Sequence, residues 1–61
     1  MITRKKIDSW LPFLRTSKPG QKVARWWQNA TEDQKKKVVR WMNQTGVNNA
    51  VRFAQAMLYV L

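Results

Sequence analysis

The sequence predicts an all-α protein, a compact bundle of four short helices. Apolar side chains recur at helical spacing in four segments. Residues that favour helix ends separate these segments. The 61 residues leave room for one small core, so we expect a single domain over residues 1–61. The helices are predicted at about residues 10–16, 20–29, 32–45 and 48–60.

The first helix is predicted to follow a basic N-terminal arm, residues 1–8, whose order the sequence does not fix. Ser9 is the expected N-cap, because it places Pro12 at the third helical position, where a missing amide costs little. Apolar residues surround most of this helix, which indicates that it packs across other helices or enters an apolar medium. They are Trp10, Leu11, Phe13 and Leu14.

The second and third helices are separated by strong local signals. After the breakers Pro19 and Gly20, an apolar stripe recurs at i, i+3, i+4 and i+7. Its members are Val23, Trp26, Trp27 and Ala30. The segment 31–34 then matches a capping box, in which a threonine side chain accepts from an amide and a glutamine side chain reaches back. Gly46 is expected to end the third helix, since glycine takes a positive φ without a steric penalty.

The fourth helix is predicted to be the central and most buried one. Apolar side chains occupy most of its surface and leave only a narrow polar stripe. That stripe consists of Asn48, Arg52, Gln55 and Tyr59.

The composition argues against an enzyme. The chain has neither cysteine nor histidine, which removes the preferred zinc ligands and the side chain best suited to proton transfer near neutral pH. Of the three carboxylates, Asp8, Glu32 and Asp33, two resemble helix-start residues rather than an acid/base pair. We therefore expect no catalytic residue, no metal, no cofactor and no small-molecule substrate.

The charge predicts an anionic partner. The formal net charge is +9, and eleven of the twelve basic residues lie in the first forty positions. Such a chain attracts polyanions, of which nucleic acid and anionic lipid are the two candidates. A solvated face that keeps a small protein soluble is the simpler explanation of the Lys35–Lys37 run. The candidate lipid-binding residues are Arg15, Lys18, Lys22, Arg25, Lys36, Lys37 and Arg40.

The four tryptophans are candidates for contact with a membrane interface. They are Trp10, Trp26, Trp27 and Trp41. Core packing explains most of them more simply, because large rings fill a small core efficiently. Trp26 and Trp27, however, diverge by about 100° on a helix, so at least one of these rings must reach an edge. An edge tryptophan beside basic residues suits the headgroup region of a bilayer.

A DNA-binding alternative uses the segment 36–55. Gly46 would lie at the turn of a helix-turn-helix, and polar side chains of the following helix would read base edges. These side chains are Asn48, Asn49, Arg52 and Gln55. Arg52 stands where such a motif usually has an apolar residue. The alternative function is an intracellular nucleic-acid-binding protein, or a small regulator that docks on an acidic protein surface.

Three short motifs occur in a fixed order along the chain. Residues 9–15 read Ser-Trp-Leu-Pro-Phe-Leu-Arg, residues 20–23 read Gly-Gln-Lys-Val ahead of Trp26 and Trp27, and residues 37–43 read Lys-Val-Val-Arg-Trp-Met-Asn, with Gly46 just after. This order resembles the leaderless bacteriocins of the aureocin, lacticin Q and epidermicin type. The resemblance implies a saposin-like bundle of four helices that is exported without a leader and permeabilises the membranes of competing Gram-positive bacteria.

The leading hypothesis is therefore a cationic antimicrobial protein that binds and permeabilises anionic bacterial membranes. No apolar stretch of signal-peptide length follows the basic N-terminus. Together with the export that the resemblance implies, this predicts secretion without a cleaved signal peptide. A cytoplasmic location goes with the nucleic-acid alternative. No apolar stretch reaches the ~20 residues that a spanning helix needs.

Overall fold

The computed structural model describes all 61 residues and contains only helices. The predicted four-helix, all-α fold is confirmed. Helix α1 packs against each of the other three helices, and α2 also packs against α4. The helices are α1 (Arg4–Leu14), α2 (Lys18–Asn29), α3 (Glu32–Thr45) and α4 (Ala50–Val60).

Helix α1 begins earlier than the sequence predicts, at Arg4 instead of Trp10. Its N-cap is Thr3, whose side-chain oxygen accepts from the amide of Lys6 at 3.3 Å. Ser9, the predicted N-cap, lies inside the helix and donates its hydroxyl to the carbonyl of Lys6. Pro12 falls in the last turn, where it removes only the amide that would bond the carbonyl of residue 8.

The first eight residues belong to the bundle and do not form a separate arm. Ile2 and Ile7 are buried in the core. The amide of Ile2 donates to Oδ1 of Asn43 at 2.8 Å, and Nδ2 of Asn43 donates to the carbonyl of Ile2 at 3.0 Å. An exposed ion pair between Arg4 and Glu32 adds a second link. The N-terminal segment is therefore attached to α3 at two places.

The corner between α1 and α2 requires a glycine. A Cβ atom on Gly20 would lie 2.0 Å from the carbonyl oxygen of Leu14, so only glycine permits this approach. Ser17 caps α2, with its Oγ accepting from the amide of Gly20 at 3.1 Å. Pro19 thus lies in the first turn, where its missing amide has no helical partner to lose. Helix α2 consequently starts at Lys18, two residues before the predicted start.

Both ends of α3 are where the sequence predicts them. The hydroxyl of Thr31 accepts from the amide of Gln34 at 3.1 Å, and the Gln34 side chain accepts from the amide of Thr31 at 2.8 Å. This is the predicted capping box. Gly46 ends the helix with a φ of 77°, in the left-handed conformation expected of it.

The core is built around two aromatic rings. Trp27 of α2 and Phe53 of α4 meet edge to face, with centroids 6.0 Å apart. Trp10 of α1 also packs against Phe53, at 5.6 Å. The buried apolar residues come from all four helices and from the segment before α1. They are Ile2, Ile7, Leu14, Val23, Ala24, Trp27, Val38, Met42, Phe53 and Met57.

The prediction that the fourth helix is the most buried is wrong. Only Phe53 and Met57 of α4 are buried, whereas α2 has four buried residues. A chain of this size has too little protein to cover a helix that is apolar on most sides. Val51, Leu58 and Tyr59 are exposed, and we call this set the outer face of α4.

Candidate functional site

A shallow groove lies between α2, α3 and the end of α4. Trp26 and Trp41, both half-buried, stand along it. Its volume is about 330 Å³, at the lower end of the range for small-molecule sites, ~300 to 1,000 Å³. Six of its eight lining residues are apolar. We call it the tryptophan groove, and these residues are Trp26, Val38, Trp41, Met57, Val60 and Leu61.

Basic side chains border the tryptophan groove. Lys37 lines it directly. Lys22 and Arg25 line an adjoining hollow that shares Trp26 and Leu61 with the groove. We call these three bases the basic rim. All three are exposed, so they keep their charge in contact with solvent while the groove between them is apolar.

The positive surface continues on α3 beyond the groove. Lys36 and Arg40 line a further hollow with Lys37 and Asp33. Because Lys37 belongs to both hollows, the bases of α3 are continuous with the basic rim. Asp33 is the one acid in this hollow, and it lies in the first turn of α3, where the helix dipole favours a negative charge.

The positive surface also continues towards the end of α1. Arg15 lines a hollow together with Arg25, Gln21 and other residues of α2. Six of the seven predicted lipid-binding residues are therefore brought into one series of hollows that share residues. Lys18, the seventh, is exposed at the start of α2 and lines none of these hollows.

The four tryptophans occupy three different environments. Trp26 and Trp41 line the tryptophan groove. Trp27 is only 1% exposed, which corrects its assignment to a membrane interface: of the adjacent pair, Trp27 enters the core and Trp26 takes the edge. Trp10 is half-buried against Phe53 and is not part of the groove.

A polar network around Trp27 was not predicted from the sequence. The indole Nε1 donates to Oδ1 of Asp8 at 2.7 Å. The ammonium of Lys35 lies 5.5 Å from the ring centroid, within the range of a cation–π interaction. The one available signal is that Asp8 is the only acid in the first thirty-one residues, but nothing local connects it to a tryptophan on another helix.

Two of the four residues that the helix-turn-helix alternative assigns to base reading do not lie within α4. Asn48 precedes α4, and Asn49 is its N-cap, with Oδ1 accepting from the amide of Arg52 at 2.9 Å. Of the four proposed base-reading residues, only Arg52 and Gln55 project from the helix into solvent. Helix α4 packs mainly against α1 and α2, whereas the motif would require its main packing to be against α3.

The remaining acids form no site of their own. The carboxylates do not gather with other ligands into a group that could hold a metal ion. None of the four helices has the length and hydrophobicity needed to cross a bilayer.

The function has to be inferred from the chemistry of the tryptophan groove and its basic rim. No known protein family, curated protein or solved structure matches this chain. An apolar groove bordered by exposed bases is complementary to molecules that combine a hydrocarbon part with a negative charge.

Proposed function

We propose that this protein is a cationic antimicrobial protein that binds and permeabilises the anionic membranes of bacteria. The observation that carries the proposal is the position of Trp26 and Trp41 within the basic surface. Tryptophan rings prefer the headgroup region of a bilayer, and exposed bases are drawn to an anionic leaflet. A surface that presents both can seat on such a leaflet in one orientation.

The size of the electrostatic attraction supports this proposal. Each base near an anionic leaflet contributes about 1 kcal/mol. The total contribution of the six bases that line the series of hollows therefore matches the stability of a small single core, ~3 to 5 kcal/mol. These bases are Arg15, Lys22, Arg25, Lys36, Lys37 and Arg40. Adsorption loosens the bundle by as much as the loosened chain binds the leaflet more tightly than the folded chain does, and burial of its freed apolar faces in the lipid supplies that difference.

The outer face of α4 supports the permeabilising step. Val51, Leu58 and Tyr59 are already exposed in the folded chain, so part of the apolar surface needed for insertion is present before any unfolding. An amphipathic helix at an interface buries its apolar face ~5 to 10 Å deep. Loosening of α4 would also free its opposite face, which carries Phe53 and Met57 and is buried in the folded bundle.

The resemblance to leaderless bacteriocins extends the proposal to the target and the route of export. It favours competing Gram-positive bacteria as the target and secretion without a cleaved signal peptide. The activity requires no catalytic residue and no cofactor.

Dye release from lipid vesicles tests this function. We expect release from vesicles that contain phosphatidylglycerol and little from vesicles of phosphatidylcholine alone, together with inhibition of bacterial growth. Absence of both leakage and growth inhibition would refute the proposal. Duplex DNA should be tested at the same ionic strength: sequence-selective retardation there, without leakage, would favour the nucleic-acid alternative.

A further inference from the structure

We infer that the tryptophan groove is a discrete binding site for one anionic lipid molecule. Its hydrocarbon chain lies in the groove, and its phosphate head group lies on the basic rim. This inference rests on the proposed function and deepens it, because it replaces general attraction to a leaflet by a site that holds a single lipid.

The groove has the form of a binding site for one hydrocarbon chain. Met57 and Val38, which are 1% and 8% exposed, form its floor. The half-buried rings of Trp26 and Trp41 border it, and Val60 lies at its open side with 63% of its surface exposed. Filling the groove with hydrocarbon would remove this apolar surface from water, which favours binding.

The charges around the groove select the head group. Lys37 lies at the groove itself, and Lys22 and Arg25 lie in the hollow that adjoins it at Trp26. No acidic side chain lines either hollow. An arginine fork and two ammonium groups suit a phosphate, which accepts several charge-assisted hydrogen bonds. A head group that also carries a positive charge would be repelled by the same residues.

The other candidate ligands do not match both properties of this surface, its apolar lining and its positive charge. A second copy of the chain would bring another molecule of net charge +9 against the basic rim, which like-charge repulsion opposes. A nucleic acid would pair with the rim but has no hydrocarbon to fill the groove. An anionic lipid satisfies both the apolar lining and the charge.

Titration with a short-chain lysophosphatidylglycerol, below its critical micelle concentration, tests the site. We expect saturable binding of one lipid per protein. Binding is measured as a shift of the tryptophan emission to shorter wavelength. The choline analogue with the same chain should bind more weakly. Val60→Glu places a negative charge in the groove and should weaken binding at least about tenfold through like-charge repulsion.

Val51→Glu is the matched control. It makes the same change on the same helix at a similarly exposed position, 53% against 63%, but outside the groove. Its affinity for the soluble lipid should equal that of the unmodified protein; vesicle leakage is compared with the unmodified protein only, because Val51 belongs to the outer face of α4. Urea unfolding of both variants checks that the bundle is retained, and Val60→Gln provides a neutral substitution if Val60→Glu fails to fold.

The outcomes distinguish a failure of the groove inference from a failure of the proposed function. Absence of saturable binding, equal affinities of Val51→Glu and Val60→Glu, or equal affinities for the glycerol and choline lipids would overturn the groove inference. Leakage of anionic vesicles is measured in parallel. Leakage without binding of single lipids would refute the groove inference and leave the proposed function standing. Lipid binding with neither leakage nor growth inhibition would refute the proposed function and leave the groove inference standing.

Discussion

Trp27 and Asp8 are joined by a hydrogen bond of 2.7 Å between the indole Nε1 and the carboxylate Oδ1. The bond links α2 to α1 across nineteen residues of sequence. A buried indole needs an acceptor for its N–H, and Trp27 is among the largest fully buried side chains of the protein. Asp8 therefore makes it possible for the central ring of the core to be buried completely.

Replacing Asp8 by Ala should destabilise the fold by about 1 to 3 kcal/mol, because a buried donor would lose its acceptor. The free energy of unfolding in urea is the measurement. Asp33→Ala is the control, since it makes the same change of charge at a carboxylate that accepts from no buried donor, and it should cost less. Equal losses in the two variants would mean that only net charge matters.

The two glycines should respond differently to alanine. In Gly20→Ala the new methyl group would meet the backbone of Leu14 at 2.0 Å, so α1 and α2 must separate, and we expect a loss of stability of about 3 kcal/mol or more. Gly46→Ala meets no atom within 4 Å and should cost only the left-handed conformation, about 1 to 2 kcal/mol. Thermal unfolding followed by circular dichroism ranks them; a larger loss for Gly46→Ala would contradict the close approach at Gly20.

Substitutions of the two adjacent tryptophans should have different effects, one on membrane binding and the other on folding. Trp26→Ala should weaken binding to anionic vesicles while the helices remain folded. Trp27→Ala removes the central ring, and a loss of ~3 to 5 kcal/mol is comparable to the whole stability of a core this small. Circular dichroism and vesicle partitioning provide the two readouts. If Trp26→Ala unfolds the chain, or leaves vesicle binding unchanged, its place at the interface is wrong.

The position of the charge should matter as well as its amount. Lys22→Gln with Lys37→Gln removes two charges from the basic rim and should lower vesicle binding by about 2 kcal/mol. Lys5→Gln with Lys6→Gln removes the same charge from exposed positions on α1 and should have the smaller effect. Partition constants on phosphatidylglycerol vesicles make the comparison. Identical losses would show that the rim has no special role.

Features with local causes were predictable from the sequence. The capping box of Thr31 and Gln34 contains both of its own hydrogen-bonding partners within four residues, and Gly46 supplies its own conformational freedom. The bounds of α3 follow from these signals. The polar face of each basic helix was also predictable, because residues at helical spacing share one side of that helix. The sequence did not show that the basic faces of α2 and α3 would adjoin, because that depends on how the helices pack.

Features with distant causes were not predictable. Helix α1 begins at Arg4 partly because Asn43 fixes Ile2 and Glu32 pairs with Arg4, and both partners lie on another helix. The burial of α4 was overestimated. The hydrophobicity of a helix indicates the free energy it would gain from burial, but not how much protein is available to cover it. The choice between Trp26 and Trp27 likewise depends on the packing of α1 and α4 around α2.

The outer face of α4 has a consequence for handling the protein in solution. Its exposed apolar side chains would favour precipitation if molecules approached one another freely, and the charge of +9 opposes that approach. Salt weakens this protection: the Debye length falls from ~10 Å at 0.1 M to ~3 Å at 1 M ionic strength. The colloidal stability of the folded chain is thus set by electrolyte, and concentrated stocks should remain clear in dilute buffer and turn turbid on salting.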